Sequence, residues 1–313
     1  MTTKILITGG AGNVGGSLAR RLVMNPENYV VIVDNLLTGS KTKLPDATFK
    51  NWRFIKVNVN NRYDISSVVS CEKFDYIFHY SAVVGVQRTL QNPKMVLDDI
   101  DGVRNVLDLA KNTGVRRVFF SSSSEVYGEP VEIPQVEATT PLNSRLPYAI
   151  VKNLAEAYCR SYQQEYGLDY TIFRFFNTYG PLQSEDFVIS RFISQALRNE
   201  DITIYGDGSQ TRTFCYIDDN LDTTISAMEN NWCVNDVMNV GSDLEISILE
   251  LAKMVLKLLK SKSKLVHLPA LKEGDMMRRR PEISKMLSVL GRGLIPLNEG
   301  IYRTANFIKL NHH

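Results

Sequence analysis

The chain has almost no net charge. Across 313 residues, 36 Lys plus Arg stand against 34 Asp plus Glu, a balance of +2. A nucleic-acid binder normally shows a basic surplus on one face, so no nucleic-acid partner is expected. Long hydrophobic runs are also missing. The longest are strand-length, as in Ile5-Leu6-Ile7 and Tyr29-Val30-Val31-Ile32-Val33, so neither a transmembrane helix nor a membrane partner is expected. A buried-type strand is reached by residue 4, which leads to the expectation of no signal peptide. Cysteine is sparse. Cys71, Cys159, Cys215 and Cys233 are scattered without any Cys-x-x-Cys spacing. They read as reduced thiols of a cytoplasmic protein, not as a disulfide frame or zinc site, and no metal is expected. There is no internal repeat, and Arg278-Arg279-Arg280 is the only basic run. His312 and His313 are assigned no role.

What is present is ordinary in amount and informative in order. At 44% hydrophobic, the chain has the composition of a globular protein long enough for one large domain or two unequal ones. In the first half, short apolar strands (4–8, 30–33, 53–57, 76–79, 117–120) alternate with helical segments. That alternation predicts an α/β fold with a doubly wound parallel sheet of the Rossmann type. Residues 94–113 show helical periodicity over about five turns, and 146–166 reads as a second long helix. Beyond Pro181 the pattern loosens into a helix at 187–198, a strand at 202–205 and a helix at 246–259. The expected organisation is a dinucleotide-binding domain over 1–175, with segments from about 213–240 returning to it. A smaller substrate-binding lobe is expected over 176–313.

Tyr148 and Lys152 lie four residues apart, hence on one face of a helix. An ammonium beside a phenol favours the phenolate and is expected to lower the Tyr148 pKa towards neutrality. Such a phenolate takes a proton from an alcohol while hydride leaves the same carbon. The redox chemistry is then a cofactor's. Upstream, Ser121-Ser122-Ser123-Ser124-Glu125 ends a predicted strand, and the four serines leave the register open.

Thr8-Gly9-Gly10-Ala11-Gly12-Asn13-Val14-Gly15 follows a strand and opens a helix. Gly9, Gly12 and Gly15 form a variant of the dinucleotide fingerprint, allowing a tight turn and close approach to a pyrophosphate at the helix N-terminus. Asp34, at the end of the second strand, is placed to accept hydrogen bonds from ribose hydroxyls and to repel a 2′-phosphate. That favours NAD over NADP, although Lys41 and Lys43 lie nearby in sequence.

Taken together, these segments resemble the extended short-chain dehydrogenase/reductase family, in its branch that modifies nucleotide sugars. The resemblance extends over nearly the whole chain. It rests on Thr8 to Gly15, Val33-Asp34-Asn35-Leu36, Phe78-His79-Tyr80-Ser81-Ala82, Ser122 to Gly128 and Tyr148 to Lys152. Further along it rests on Arg174 to Pro181, Tyr205 to Arg212 and Arg280 to Lys285. It implies C4 oxidation of the sugar by tightly held NAD. Counting back three residues from Val126, it makes Ser123 the partner of the reacting hydroxyl, with Tyr148 the base and Lys152 its tuner. It also implies cofactor contacts from Gly9, Gly12, Asn13, Val14, Gly15, Asp34, Asn35, Asn58, Val59, Tyr80, Ser81 and Ala82, besides Tyr148 and Lys152. Ser124, Asn177, Arg212 and Arg279 are implied on the substrate side. Two positions depart from the family's pattern. Asn58 stands in place of its usual Asp near adenine, and Asp99 in place of its usual Asn in the long helix.

The fate of the 4-keto sugar divides the branch. By resemblance, the 4,6-dehydratases carry Asp-Glu where this chain has Ser124-Glu125. A serine is a poor general acid near neutrality, so dehydration is disfavoured. The Ser-Glu pair looks more like UDP-glucuronate decarboxylases, though Glu125 can also deprotonate C5 or C3 or accept a hydrogen bond from substrate. Leu142 to Tyr148, with Arg174 to Pro181, is most similar to GDP-heptose 4-dehydrogenases of bacterial capsule polysaccharide pathways. The expected activity is therefore a nucleotide-sugar 4-dehydrogenase, with 4-epimerase or decarboxylase as the alternative and a non-catalytic NAD-binding protein as a remote one. A homodimer is expected through the 94–113 helix and the Tyr-Lys helix. The candidate second apolar stripes are Met95, Leu97, Val103 and Leu107 on the first, and Ile150, Leu154, Ala157 and Tyr158 on the second.

Overall fold

In the computed structural model, which describes residues 2–269 and 278–311, the first strand β1 (Thr3–Thr8) lies at the centre of the sheet. Its Ile5, Leu6 and Ile7 are fully buried. An unbroken apolar run is what a parallel strand covered on both faces requires. The helix α1 (Asn13–Leu22) leads to β2 (Asn28–Asp34), β3 (Trp52–Lys56), α2 (Arg62–Cys71) and β4 (Tyr76–His79). Next come α3 (Val86–Gln91), α4 (Pro93–Leu97), α5 (Asp99–Thr113), β5 (Arg117–Ser123), α6 (Pro147–Tyr166) and β6 (Asp169–Phe175). The chain then runs through β7 (Thr178–Tyr179), α7 (Val188–Arg198), β8 (Ile202–Tyr205), β9 (Thr211–Thr213), β10 (Cys215–Tyr216), α8 (Ile217–Glu229) and β11 (Asp236–Val240). It closes with β12 (Glu245–Ser247), α9 (Ile248–Leu259), β13 (Leu265–Leu268), α10 (Ser284–Leu290) and α11 (Leu297–Asn311).

The main sheet has seven strands in the order β11-β6-β5-β4-β1-β2-β3. The pairs β1–β2, β2–β3, β1–β4 and β4–β5 are parallel. Strand order reverses between β1 and β4, so the connections leaving their carboxyl ends diverge to opposite faces. A crevice opens at such a point. The loops after β1 and β4 meet there.

The chain divides into two compact units. The first comprises Met1–Val126, Ser144–Arg174 and Ala227–Met238, and the second Tyr127–Asn143, Phe175–Ser226 and Asn239–His313. In the first unit, α2, α5 and α6 pack in succession, and Val31, Val33, Ile65, Val106 and Ile172 join one apolar cluster. Phe119 stacks on Phe78 at 4.5 Å between centroids. In the second unit, α7, α9 and α11 pack together, and short two-stranded pairs β7–β10, β8–β13 and β9–β12 line the connections.

The single helix expected over 94–113 is two helices, α4 and α5, joined at Asp98. The Asp99 carboxylate accepts the Val83 N–H at 2.7 Å, which anchors the start of α5 to the loop after β4. Val103 and Leu107, offered as an outward stripe, are buried in the core cluster, whereas Leu97, Ile150 and Leu154 are exposed. The helix expected over 246–259 begins at Ile248. Ser247 caps it in a capping box with Glu250, which leaves Ile246 to pair with Arg212 in the β9–β12 ladder. No helix among the described residues is long and apolar enough to cross a membrane. Among those residues, no group of His, Cys, Asp and Glu is arranged to hold a metal.

Candidate active site

The glycine loop after β1 is built for close approach. Gly9 has φ +69°, and a Cβ there would lie 2.6 Å from Ser81 N and 2.7 Å from Tyr80 O. A Cβ on Gly15 would lie 2.5 Å from Gly9 O. One glycine lets the loop pass under the β4 loop, and the other lets α1 pack onto the turn. Gly12 is the N-cap of α1, and no side chain caps this end. The first-turn N–H groups and the positive end of the helix dipole are thus left for an anion. Val14 is partly exposed on that turn. The buried Oδ1 of Asn13 has no hydrogen-bond partner among the described residues.

Asp34 does more than the expected ribose contact. Its Oδ2 accepts the Ala11 N–H at 3.0 Å, and its Oδ1 accepts the Leu36 N–H at 2.7 Å. The carboxylate therefore also holds the glycine loop to the end of β2. Each oxygen keeps a lone pair for a further donor. Asn35 and Asn58 are exposed. Each uses its side-chain oxygen in a local turn, to Leu37 N at 2.9 Å and Asn60 N at 3.1 Å. The Val59 side chain is buried, and its carbonyl accepts Asn105 Nδ2 at 3.0 Å. This loop, with an open N-terminus and an acidic strand end beside it, fits a dinucleotide.

The loop after β4 is fastened to β1. The N–H groups of Tyr80 and Ser81 reach Thr8 Oγ1 at 3.2 and 3.3 Å, and Thr8 Oγ1 also meets His79 Nδ1 at 2.8 Å. His79 is buried, and burial, with the Lys152 charge, pushes its pKa down to about 3. Ser81 and Ala82 line a small pocket together with Asp99, Val103, Phe120, Tyr148, Val151 and Lys152. The Tyr-Lys pair, Ser81 and Ala82 therefore converge.

Three consecutive residues of β5 engage three successive turns of α6. Ser121 O accepts Lys152 Nζ at 2.6 Å. Ser122 Oγ donates to Glu156 Oε1 at 2.6 Å. The Ser123 side chain hydrogen-bonds that of Tyr148. Behind them, Arg174 donates to both oxygens of Glu156, at 2.9 and 2.7 Å, and Arg160 adds a contact at 2.9 Å. The sequence reading missed this buried network. Its signal was the spacing of Glu156, one turn beyond Lys152 and two beyond Tyr148 on the same face.

The electrostatics differ from the expected ones. Burial pushes the Tyr148 pKa up, Glu125 and Asp99 add to the rise, and only the Ser123 hydrogen bond opposes it. Lys152 Nζ stands 5.7 Å from the Tyr148 ring centroid and donates to Ser121 O. Desolvation, not the neighbouring ammonium, sets the direction of the Tyr148 shift. Lys152 itself is pushed down to about 8 by burial, against the raising effects of Asp99 and Glu156. Asp99 is raised by burial, while the Val83 N–H, Lys152 and Asn60 favour its carboxylate. Ser124 is buried and Glu125 half-buried in the turn after β5, with Ser123 Oγ accepting the Glu125 N–H at 3.2 Å.

Asn177, Arg212 and Arg279 belong to the second unit. Asn177 has φ +39° and donates to Thr213 O at 2.8 Å. Arg212 lies on β9 and donates to Thr211 O at 2.7 Å. Arg279 is buried, and its neighbour Arg278 pairs with Glu245 through two bonds of 3.0 and 2.7 Å.

The sequence profile of the NAD dependent epimerase/dehydratase family matches residues 5–241. A UDP-N-acetyl-alpha-D-glucosaminuronate decarboxylase from Bacillus cytotoxicus is 37% identical over 303 residues, covering 91% of this chain and 91% of its own. UDP-glucuronic acid decarboxylase 1 from Danio rerio is 35% identical over 97% of this chain and 72% of its own. The crystal structure of a UDP-glucose 4-epimerase from Thermotoga maritima, with UDP-glucose, superposes with a TM-score of 0.93 at 30% identity, covering 99% of this chain and all of its own.

Proposed function

Because the chain belongs to the NAD dependent epimerase/dehydratase family, an enzyme family whose cofactor is NAD, we propose that it oxidises C4 of a UDP-linked uronate and decarboxylates the resulting 4-keto sugar. The observation that carries this reading is Ser124-Glu125 at the end of β5, with Glu125 close enough to Tyr148 to raise its pKa. Full-length similarity to two uronate decarboxylases supports it. The expected GDP-heptose 4-dehydrogenase shares the C4 oxidation, but these relatives favour the alternative over release of a 4-keto sugar.

The first unit is assigned the dinucleotide. Its pyrophosphate would lie on the open N-terminus of α1, and its ribose at Asp34. Held by the α1 N-terminus and Asp34, NAD would supply a reversible hydride acceptor for C4. Tyr148 takes the proton of the 4-hydroxyl, which Ser123 orients by hydrogen bonding. Lys152 places positive charge beside the phenolate that this step needs. A ketone at C4 is β to the C5 carboxylate, so the C5–carboxylate bond can break with its electron pair held by the ketone as an enolate. Carbon dioxide leaves and C5 takes up a proton, which we assign to Glu125. Ser124 cannot act as the acid that loss of a 6-hydroxyl would need. Asn177, Arg212 and Arg279 are assigned the nucleotide side of the substrate by their resemblance to the family's motifs.

Incubation with UDP-glucuronate, read by mass, tests the reading. The expected product is lighter by carbon dioxide, with no net accumulation of NADH. Interconversion of UDP-glucose and UDP-galactose would favour the epimerase, a reading supported by the TM-score of 0.93. Accumulation of NADH with a GDP-heptose would restore the dehydrogenase. We also propose a homodimer, supported by exposed Leu97, Ile150 and Leu154 on α4 and α6, two helices that pack together in the first unit. A mass near 35.4 kDa by light scattering would overturn it. None of the four cysteines is in a disulfide, the state a reducing cytoplasm maintains, and we propose that the protein resides there.

A further inference from the structure

Among the described residues, Asp99 is the only carboxylate lining the pocket that holds Tyr148 and Lys152. It stands at the first residue of α5, and its carboxylate is fixed by the Val83 N–H at 2.7 Å. The Asn60 side chain also bonds it. Lys152 is 4% exposed and has one fixed neutral acceptor, the Ser121 carbonyl at 2.6 Å. A buried ammonium held mainly by a carbonyl dipole loses its proton readily unless an anion stands close. From these placements we infer that Asp99 is a positioning residue for the reaction, the counter-charge that keeps Lys152 an ammonium beside Tyr148. The inference rests on the roles proposed above for Tyr148 and Lys152.

Other charges bear on the same pair. Glu156, on α6, is the second anion that raises Lys152. It is already engaged by Arg174 at 2.7 Å, Arg160 at 2.9 Å and Ser122 at 2.6 Å, so much of its charge is neutralised locally. His79, on β4, is neutral because burial holds its pKa near 3. Asp98, beside Asp99 on the chain, acts on Asp99 and is exposed, with Lys94 Nζ 2.9 Å away. Glu125 acts on Tyr148 from the turn after β5. Among the described residues, Asp99 is thus the anion whose charge falls on Lys152 with no cationic partner of its own other than that lysine. Without it, burial would be opposed only by the locally neutralised Glu156, and the lysine, already pushed down to about 8, would fall further.

The test is the titration of Lys152, followed by NMR of protein carrying ¹³Cε-lysine, with the Lys152 signal assigned by its loss in Lys152→Met. Wild-type protein is expected to titrate near 8. In Asp99→Asn, which keeps an acceptor for the Val83 N–H, the midpoint should fall by about one pH unit or more. In Asp99→Glu it should stay close to wild type. The alkaline limb of single-turnover NAD reduction should move down with the midpoint in Asp99→Asn. If Asp99→Asn fails to fold, Asp99→Ser carries the same expectation. An unmoved midpoint in the folded neutral variant overturns the inference, as does a midpoint in Asp99→Glu as low as in the neutral variant. If no tested sugar reduces NAD in wild type, the proposed function fails, while the NMR titration still decides the role of Asp99.

Discussion

Ser122 donates a 2.6 Å hydrogen bond to Oε1 of Glu156, and both side chains are buried. The bond joins the end of β5 to α6 one turn past Lys152. Because Ser121 and Ser123 are engaged by Lys152 and Tyr148, the strand and helix are held at three levels. The Glu156 charge is tolerated because Arg174 meets it with two bonds. Glu156→Gln leaves a buried guanidinium uncompensated and should cost about 3–5 kcal/mol of stability. Glu156→Leu with Arg174→Met removes both charges and should recover most of that loss. Urea unfolding of the three proteins measures it, and a Glu156→Gln protein as stable as wild type would contradict the account.

Tyr148→Phe removes the phenolic oxygen from the reaction pocket and leaves the ring in place. Hydride transfer should slow by about 10²–10⁴-fold, with NAD still copurifying. Mass spectrometry of the denatured supernatant and single-turnover absorbance read the two effects separately. Near-normal turnover would remove Tyr148 from the mechanism.

Asp34 binds the loop at Ala11 and Leu36 and is assigned the ribose. Asp34→Ser should weaken NAD binding by at least about tenfold, the loss of one hydrogen bond to a charged group. It should also narrow the preference for NAD over NADP. Calorimetric titration with both dinucleotides reads this, and an unchanged preference would show that selectivity lies elsewhere.

His79 gives the fold a pH dependence of known sign. Its ordinary value is 6.5, and burial holds it near 3 in the folded chain. Between those values the unfolded chain binds more protons than the folded one. Its contribution is therefore fully present above pH 6.5 and is lost as pH falls towards 3, by about 1.4 kcal/mol per unit. From pH 6.5 to 5 the loss is about 2 kcal/mol. His79→Gln should flatten this part of the profile. Parallel stability–pH curves for wild type and variant, from urea unfolding at several pH values, would refute the assignment.

The sequence by itself determined what depends on neighbours along the chain. The unbroken apolar run of β1 demanded a strand covered on both faces, and its fully buried Ile5, Leu6 and Ile7 meet that demand. The glycine spacing after β1 announced a close backbone approach, and the contacts of Gly9 and Gly15 show what approaches. Helical periodicity put Tyr148 and Lys152 on one face, and Pro147 and Gly167 bound the helix that carries them. Tertiary structure decided whatever depends on desolvation or on partners distant in sequence. Lys152 turned to Ser121 O, 31 positions away, and burial raised Tyr148 where spacing alone suggested lowering. The predicted long helix divides at Asp98, and Asp99 beside it bonds Val83, 16 positions back. Glu156 read as one more polar residue of a helix until Arg174 and Ser122 closed on it from adjacent strands. Periodicity reports which face a side chain occupies. The charge state it holds there is set by how much water is removed and which dipoles replace it, and those are fixed only when strands and helices pack.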